Sequence, residues 1–511
     1  MDIQRAKEEI KHSIRAYLDK DEFGDYRIPA IRQRPMLLMG PPGIGKTQIM
    51  EQIASECDLA LVSYTITHHT RQSAIGLPFI QEKVYNGKKR SVTEYTMSEI
   101  IASVYDRMEE SGKNEGILFI DEINCVSETL APTMLQFLQG KSFGNQKVPQ
   151  GWIIVAAGNP PEYNKSVREF DVVTLDRVKV IDVEANYMIW KEYAYAAGIH
   201  GAVISYLDIH KENFYRMETT VDGKQFVTAR GWEDLSEMIY AYERLNMTMD
   251  REVVIQYLQH PRVAKDFANY LSLYYKYRSD YRIDEILSGT IREGTLNKLK
   301  WAQFDEHIEV VGLILTRLAE NFRAVWEKQQ FTDRLFDVLK TFKMQLDSQD
   351  ESLLAQTPEV LMKALLEQEQ DLVKTRTASG QNEKQIRHES RALLAALEKD
   401  AALLNGYVGE RTEAFDIVRG EFAAETQQLE ELTAKASEQL EYAFDFMEAA
   451  FGESQEMVVF ITELSVNRYA VAFLQENESD RYYMYNKRML IEDRERIVKE
   501  KLDALKDDQI W

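Results

Sequence analysis

Three short stretches carry the residue types that phosphate chemistry needs. Gly40, Pro41, Pro42, Gly43, Ile44, Gly45, Lys46 and Thr47 read GPPGIGKT, a full match to the pattern G-x-x-x-x-G-K-[ST] between an apolar run and a helical segment. Glycines let backbone amides close on anionic oxygens, and the amino end of the following helix adds partial positive charge. In such a cradle the Lys46 ammonium bridges the β- and γ-phosphates of a nucleotide, and the Thr47 hydroxyl binds Mg²⁺. The second stretch, ILFIDEIN, delivers Asp121 and Glu122 at the carboxyl end of a buried run, where ligands of open α/β sheets bind. Asp121 is the candidate to hold the metal, directly or through water, and Glu122 the candidate to polarise an attacking water. Alone, such a pair is equally a solvated strand end or a helix cap. The third stretch, WIIVAAGNPPE, ends in Asn159. Its amide either orients the water or touches the terminal phosphate, or it merely opens an Asn-Pro turn with Pro160.

The elements that must position these groups follow from the apolar pattern. From about residue 1 to 187, helical stretches alternate with PMLLMG, LALVSYTI, GILFIDE, WIIVAAGN and VKVIDVE, the pattern of a parallel sheet with covering helices. Within it, FIQEKVYNGKKRSVTEYT places Asn86-Gly87 between two alternating runs, which predicts an inserted β-hairpin near 79–95 with a type I′ turn. From about 188 to 290 strands are not expected, and amphipathic helices predict a small helical domain. From 291 to 511 the pattern stays helical, and between about 350 and 450 it is rich in Glu, Gln, Ala, Leu and Lys, as in exposed hairpins or coiled coils. KTRTASGQNEK, with Gly380, breaks that pattern and is expected to be a loop or link.

Composition narrows the partners. Across 511 residues, 84 acidic side chains outnumber 62 basic ones, and the net charge of −22 argues against broad binding to nucleic acid or anionic lipid. The two cysteines, Cys57 and Cys125, lack any metal or disulfide spacing, which fits reduced thiols in a cytosol. The amino terminus reads as an amphipathic helix and not a signal peptide, and MVVFITELSVNRYAVAFL is interrupted by Glu463 and Arg468, as in a buried or partner-facing helix. A cytoplasmic protein with no membrane partner is the expectation. Other features have plain readings: Tyr270, Tyr274 and Tyr277 lie at helical spacing as core aromatics beside Lys276 and Arg278, and His68 and His69 lack a third ligand at metal spacing. Lys88, Lys89 and Arg90 at the hairpin tip are either a solvated end or a contact for a substrate or partner.

Taken together, GPPGIGKT, LFIDEIN, TLAPTMLQFLQG, AAGNPPE, TLDR and TARGWEDLSE resemble AAA+ ATPases, and within them the MoxR family, over roughly residues 30 to 290. The fold this implies is an α/β P-loop NTPase core with a parallel sheet over 1–187, an all-α lid over 188–290 and an all-α, partly coiled-coil extension over 291–511. The resemblance places Asn159 at sensor 1 and Arg230, after Thr228, at sensor 2. Arg177 falls where the family keeps an arginine finger, though Val178 and a longer preceding linker depart from its pattern, and Arg168 competes. An arginine supplied by a neighbour stabilises charge developing on phosphoryl oxygens. The implied activity is ATP hydrolysis with Mg²⁺ in a homo-oligomeric, hexameric ring. The implied role is chaperone-like remodelling of a complex with a partner bearing a von Willebrand factor A domain. A nucleotide-gated scaffold with incidental turnover, or a nucleic-acid motor, are the alternatives. The adenine pocket is to be sought in DYRIPAIRQRP.

Overall fold

A computed structural model of the chain describes residues 1–68, 71–143, 146–163, 170–221, 223–378 and 383–489. It divides into two compact units, one of Met1–Ile189, Thr228–Arg230 and Val360–Ala402, the other of Trp190–Val227, Gly231–Glu359 and Leu403–Trp511.

The first unit begins with α1 (Ile3–Leu18), β1 (Met36–Met39), α2 (Lys46–Glu56), β2 (Ala60–Thr65) and α3 (Arg71–Ile75). A hairpin of β3 (Pro78–Tyr85) and β4 (Lys88–Tyr95) precedes α4 (Glu99–Ser111), β5 (Gly116–Asp121) and α5 (Ala131–Gly140). After a short ribbon, β6 (Ser142–Phe143) with β7 (Gln146–Lys147), come β8 (Trp152–Gly158), α6 (Val172–Leu175) and β9 (Lys179–Asp182). Five of these strands form one parallel sheet in the order β2-β5-β8-β1-β9. Successive strand residues point to opposite faces, so runs that are apolar throughout need cover on both. Leu37, Leu118, Ile120, Ile154 and Ala156 pack with Ile101 and Val104 of α4 and Met134 and Phe137 of α5. Met36, Leu38, Phe119, Ile153 and Val155 pack with Ile10 and Ile14 of α1 and Ile49 and Ile53 of α2. Truncating one such side chain, Phe119→Ala for instance, costs ~3–5 kcal/mol. In the β3–β4 hairpin, Asn86 and Gly87 have φ of 49° and 76°, the positive pair that a type I′ turn requires.

The second unit is mainly helical. α7 (Tyr187–Ala197) leads into α8 (Gly201–Ile209), then β10 (Arg216–Thr220) and β11 (Gly223–Val227), which pair antiparallel. Strands were not expected between 188 and 290, and this ribbon corrects that reading. Its run RMETT-VDG-KQFV carries an Asp-Gly turn signal between two short alternating segments, outweighed in a sequence reading by the helical stretches around it. The helices α9 (Ala229–Arg244), α10 (Arg251–Tyr257), α11 (Pro261–Tyr281), α12 (Ile283–Ile286) and α13 (Glu293–Lys300) follow. Tyr270 and Tyr274 are buried in α11, whereas Tyr277 is half-buried, so the expected stripe is two residues wide and not three.

Beyond them run α14 (Phe304–Leu346), α15 (Glu351–Leu354), α16 (Pro358–Ala378), α17 (Glu383–Leu403), α18 (Arg411–Ala450), α19 (Gln455–Val466) and α20 (Arg468–Glu476), of which α16 and α17 fall almost wholly in the first unit. α14 and α18 lie antiparallel, pinned by Asn321 to Gln439 at 2.6 Å, by Lys328 to Glu425, and by Arg411 to the Leu346 carbonyl at 3.3 Å. The helix of α16 continues through Lys374–Ala378 and α17 opens at Glu383, so most of the loop expected in KTRTASGQNEK is helical; Gly380 lies outside the described residues. The apolar MVVFITELSVNRYAVAFL is two helices bent by 85° at Asn467, whose Oδ1 accepts from the Tyr469 and Ala470 amides at 2.9 and 3.1 Å. No single helix among the described residues is long and apolar enough to cross a membrane.

Candidate nucleotide site

β1 lies between β8 and β9, and the chain leaves the sheet at its carboxyl edge. The Gly40 amide donates to the Gly158 carbonyl at 3.3 Å, and the Met39 carbonyl accepts the Val183 amide at 2.7 Å. A Cβ on Gly40 would sit 2.7 Å from the Val183 oxygen, so the neighbouring backbone itself demands glycine there. Pro41, Pro42 and Ile44 fill the loop, with Ile44 packed on the α1–α2 side of the core. Gly43 and Gly45 take φ of 74° and 90°. The first i→i−4 bond of α2 runs from the Ile49 amide to the Gly45 carbonyl at 3.1 Å. The Lys46 and Thr47 amides precede that ladder, where a helix start offers donors to an anion.

Lys46 is 8% exposed, and its Nζ donates to the Gly40 and Pro41 carbonyls, both at 2.8 Å, and to Asn159 Oδ1 at 2.9 Å. Burial pushes this ammonium down to about 8; the Asp121 charge opposes that, Arg230 adds to it, and Glu122 opposes it again. Thr47 Oγ1 donates to Asp121 Oδ2 at 2.8 Å, while Asp121 Oδ1 accepts the Glu122 amide at 2.9 Å. Glu122 follows β5 with φ of 56°, a left-handed conformation that costs a non-glycine residue roughly 1–2 kcal/mol. The sheet order explains the meeting. β8 runs between the strands that carry the lysine and the aspartate, so its tip residue Asn159 falls between them.

The remaining arginines divide. The Arg230 amide, in the first turn of α9, donates to the Gly43 carbonyl at 3.3 Å, and a Cβ on Gly43 would lie 3.1 Å from Thr228 Cβ. The Thr228–Arg230 segment therefore closes on the loop, with the exposed Arg230 adding positive charge near Lys46. Arg177 is not brought to this site. It precedes β9, whose Lys179 pairs with Met36 at the start of β1, so it sits at the amino edge of the sheet. The length of β1, about 13 Å at ~3.3 Å per residue, separates that edge from the cradle. There Arg177 is exposed, donates to Gln139 and lies near Asp171. Arg168 and His69 lie outside the described residues, as does the side chain of His68. One residue was missed by sequence reasoning: Asn124, 3% exposed, whose Nδ2 donates to the Asn159 carbonyl at 2.8 Å. Its signal was a polar amide following an apolar residue in DEIN, which no periodicity distinguishes from a loop residue.

The donor set fits a magnesium nucleoside triphosphate. A hydroxyl and a carboxylate 2.8 Å apart supply the hard oxygen ligands Mg²⁺ takes, beside a buried ammonium and a helix start. Residues 36–175 match the family model described as ATPase family associated with various cellular activities (AAA). Those residues form an AAA ATPase domain. The AAA match spans β1 to α6, the Lys46 and Thr47 pair, Asp121 and Asn159 among its residues. No curated protein matches the chain. One solved structure, from Cytophaga hutchinsonii ATCC 33406 and provisionally named an ATPase, is 18% identical over 36% of this chain and 52% of that one, with a TM-score of 0.22. The chain thus spans about half of that protein, and at this TM-score the likeness carries no argument.

Proposed function

We propose that the chain hydrolyses ATP in a homo-oligomeric, hexameric ring and spends the turnover on remodelling or assembling a partner complex, in the manner of MoxR proteins. The observation that carries the hydrolytic reading is the convergence of Lys46 on Asn159 and of Thr47 on Asp121, with Glu122 next in the chain. Thr47 and Asp121 would hold Mg²⁺, which supplies charge neutralisation at the phosphate oxygens. Lys46, released from the Gly40 and Pro41 carbonyls, binds the β- and γ-phosphates. The Asn159 amide orients the attacking water, and the Glu122 carboxylate takes its proton. Arg230 at a helix start is electrostatically misplaced unless an anion sits there, and a triphosphate resolves that conflict. Arg177, remote from its own cradle, suits a finger offered to a neighbouring subunit. A cytoplasmic location and a von Willebrand factor A domain partner follow from the MoxR resemblance. Single-turnover hydrolysis by wild type and Glu122→Gln tests the reading: a large loss in the variant is expected, and equal rates would exclude Glu122 as the water activator.

A further inference from the structure

We propose that Asn124 is a positioning residue that holds the Glu122 turn and the Asn159 amide in one fixed frame. This rests on the ATPase reading above and concerns a residue outside the hydrogen bonds that join Lys46, Thr47 and Asp121 to their partners. The β5–β8 ladder ends at the pair Ile120 and Ala156. Beyond it the chain of β5 turns away through Glu122, and the Cys125 amide closes that turn on the Glu122 carbonyl at 2.9 Å. The tip of β8 keeps β1 on one side, through Met39 and Gly158, but on the other side would have no strand beside it. Three hydrogen bonds continue the pairing instead. The Ile123 amide donates to the Ala157 carbonyl at 2.9 Å. Asn124 Nδ2 donates to the Asn159 carbonyl at 2.8 Å, and Asn124 Oδ1 accepts the Asn159 amide at 3.2 Å.

The last two form a reciprocal pair, the exchange that two residues of an antiparallel ladder make with their backbones. Here a side-chain amide replaces one of the backbones, which only a group carrying both a donor and an acceptor can do. The site is closed around it: Asn124 is 3% exposed, and a Cβ on Gly158 would lie 2.8 Å from its Oδ1. The same Asn159 whose backbone is clamped accepts from Lys46 at 2.9 Å through its side chain. Asn124 thereby fixes where the amide of Asn159 stands relative to Glu122, two residues before Asn124 itself. Displacements of about 1 Å in such a frame cost up to ~10²-fold in rate while leaving binding groups in place.

The test compares the full-length wild type with Asn124→Ala, Asn124→Asp and Gly158→Ala, measuring kcat and KM for ATP, equilibrium binding of a non-hydrolysable ATP analogue, and thermal midpoint. Asn124→Asp keeps the shape and the acceptor but loses the donor to the Asn159 carbonyl. Gly158→Ala leaves Asn124 in place and pushes on its Oδ1 from the other side. Each variant is expected to lose at least about tenfold in kcat, with KM and analogue affinity within about threefold of wild type. Should Asn124→Ala fail to fold, the other two variants carry the same expectation. A kcat per nucleotide-binding molecule that stays at the wild-type value in the folded variants would overturn the proposal, and so would a fall in affinity that tracks the fall in thermal midpoint. A wild type that binds the analogue without hydrolysing ATP would overturn the ATPase reading and this role with it, an outcome distinct from an active wild type with unaffected variants.

Discussion

Glu122 occupies a left-handed backbone position at the end of β5, where a non-glycine side chain is held at some cost. That cost is tolerated because the Glu122 amide is tied to Asp121 Oδ1 and its carbonyl to the Cys125 amide. Glu122→Gln keeps both backbone bonds and removes only the base, so kcat for ATP should fall ~10²–10⁴-fold with nucleotide affinity retained, as steady-state phosphate release and equilibrium titration will report. A second residue-scale prediction concerns Glu309 on α14, buried at 6% exposure, with no hydrogen-bond partner at Oε2 among the described residues. Burial, helped by Glu306 and Asp305, raises its carboxyl to about 7. The folded state thus prefers the protonated acid: its contribution to stability is complete below the ordinary carboxyl range near 4.5 and is lost as pH climbs through about 7. Glu309→Gln should therefore raise the thermal midpoint at pH 8, change it little at pH 4.5, and flatten the profile between.

At the scale of elements, the parallel sheet was legible because its three central strands, β1, β5 and β8, are buried on both faces and read as continuous apolar runs, as GILFIDE and WIIVAAGN do. The hairpin was legible for another reason, since Asn86-Gly87 permits the two positive φ angles it shows. The β10–β11 ribbon and the bend at Asn467 were not, because both depend on one turn or cap inside sequence that otherwise suits helices. Arg411 is a third case: a cation in a polar helix start, it donates to the carbonyls of Leu346, Leu353, Leu354 and Gln356 and so caps the end of α14 and the turn after it. No periodicity reveals such a contact across 55 residues and more. Hydrogen bonds from a charged donor are worth ~1.5–3 kcal/mol each at most in such a place. Arg411→Ala should speed amide hydrogen exchange through 346–356 while leaving exchange in β5 and β8 unchanged.

At the scale of the whole molecule, the candidate site was legible where a motif's spacing carries it and illegible where a tertiary contact does. GPPGIGKT, Asp121 and Asn159 meet around one sheet edge, as their strands dictate, and Asn124 joins them through a tertiary contact that no spacing encodes. Arg177, at the opposite edge, would act in hydrolysis at a neighbouring copy's site in the proposed ring. In that arrangement Arg177→Ala and Glu122→Gln are each nearly inactive, yet mixing them should restore part of the turnover, because some interfaces then pair an intact Glu122 with an intact Arg177. Mixtures no more active than their components would exclude a shared site. The most direct test of the central claim, that a buried ammonium in a glycine cradle grips the triphosphate for cleavage, is ATP hydrolysis by Lys46→Ala measured alongside nucleotide affinity. Both should collapse, with the fold intact by circular dichroism; wild-type cleavage and wild-type affinity in that variant would contradict the account.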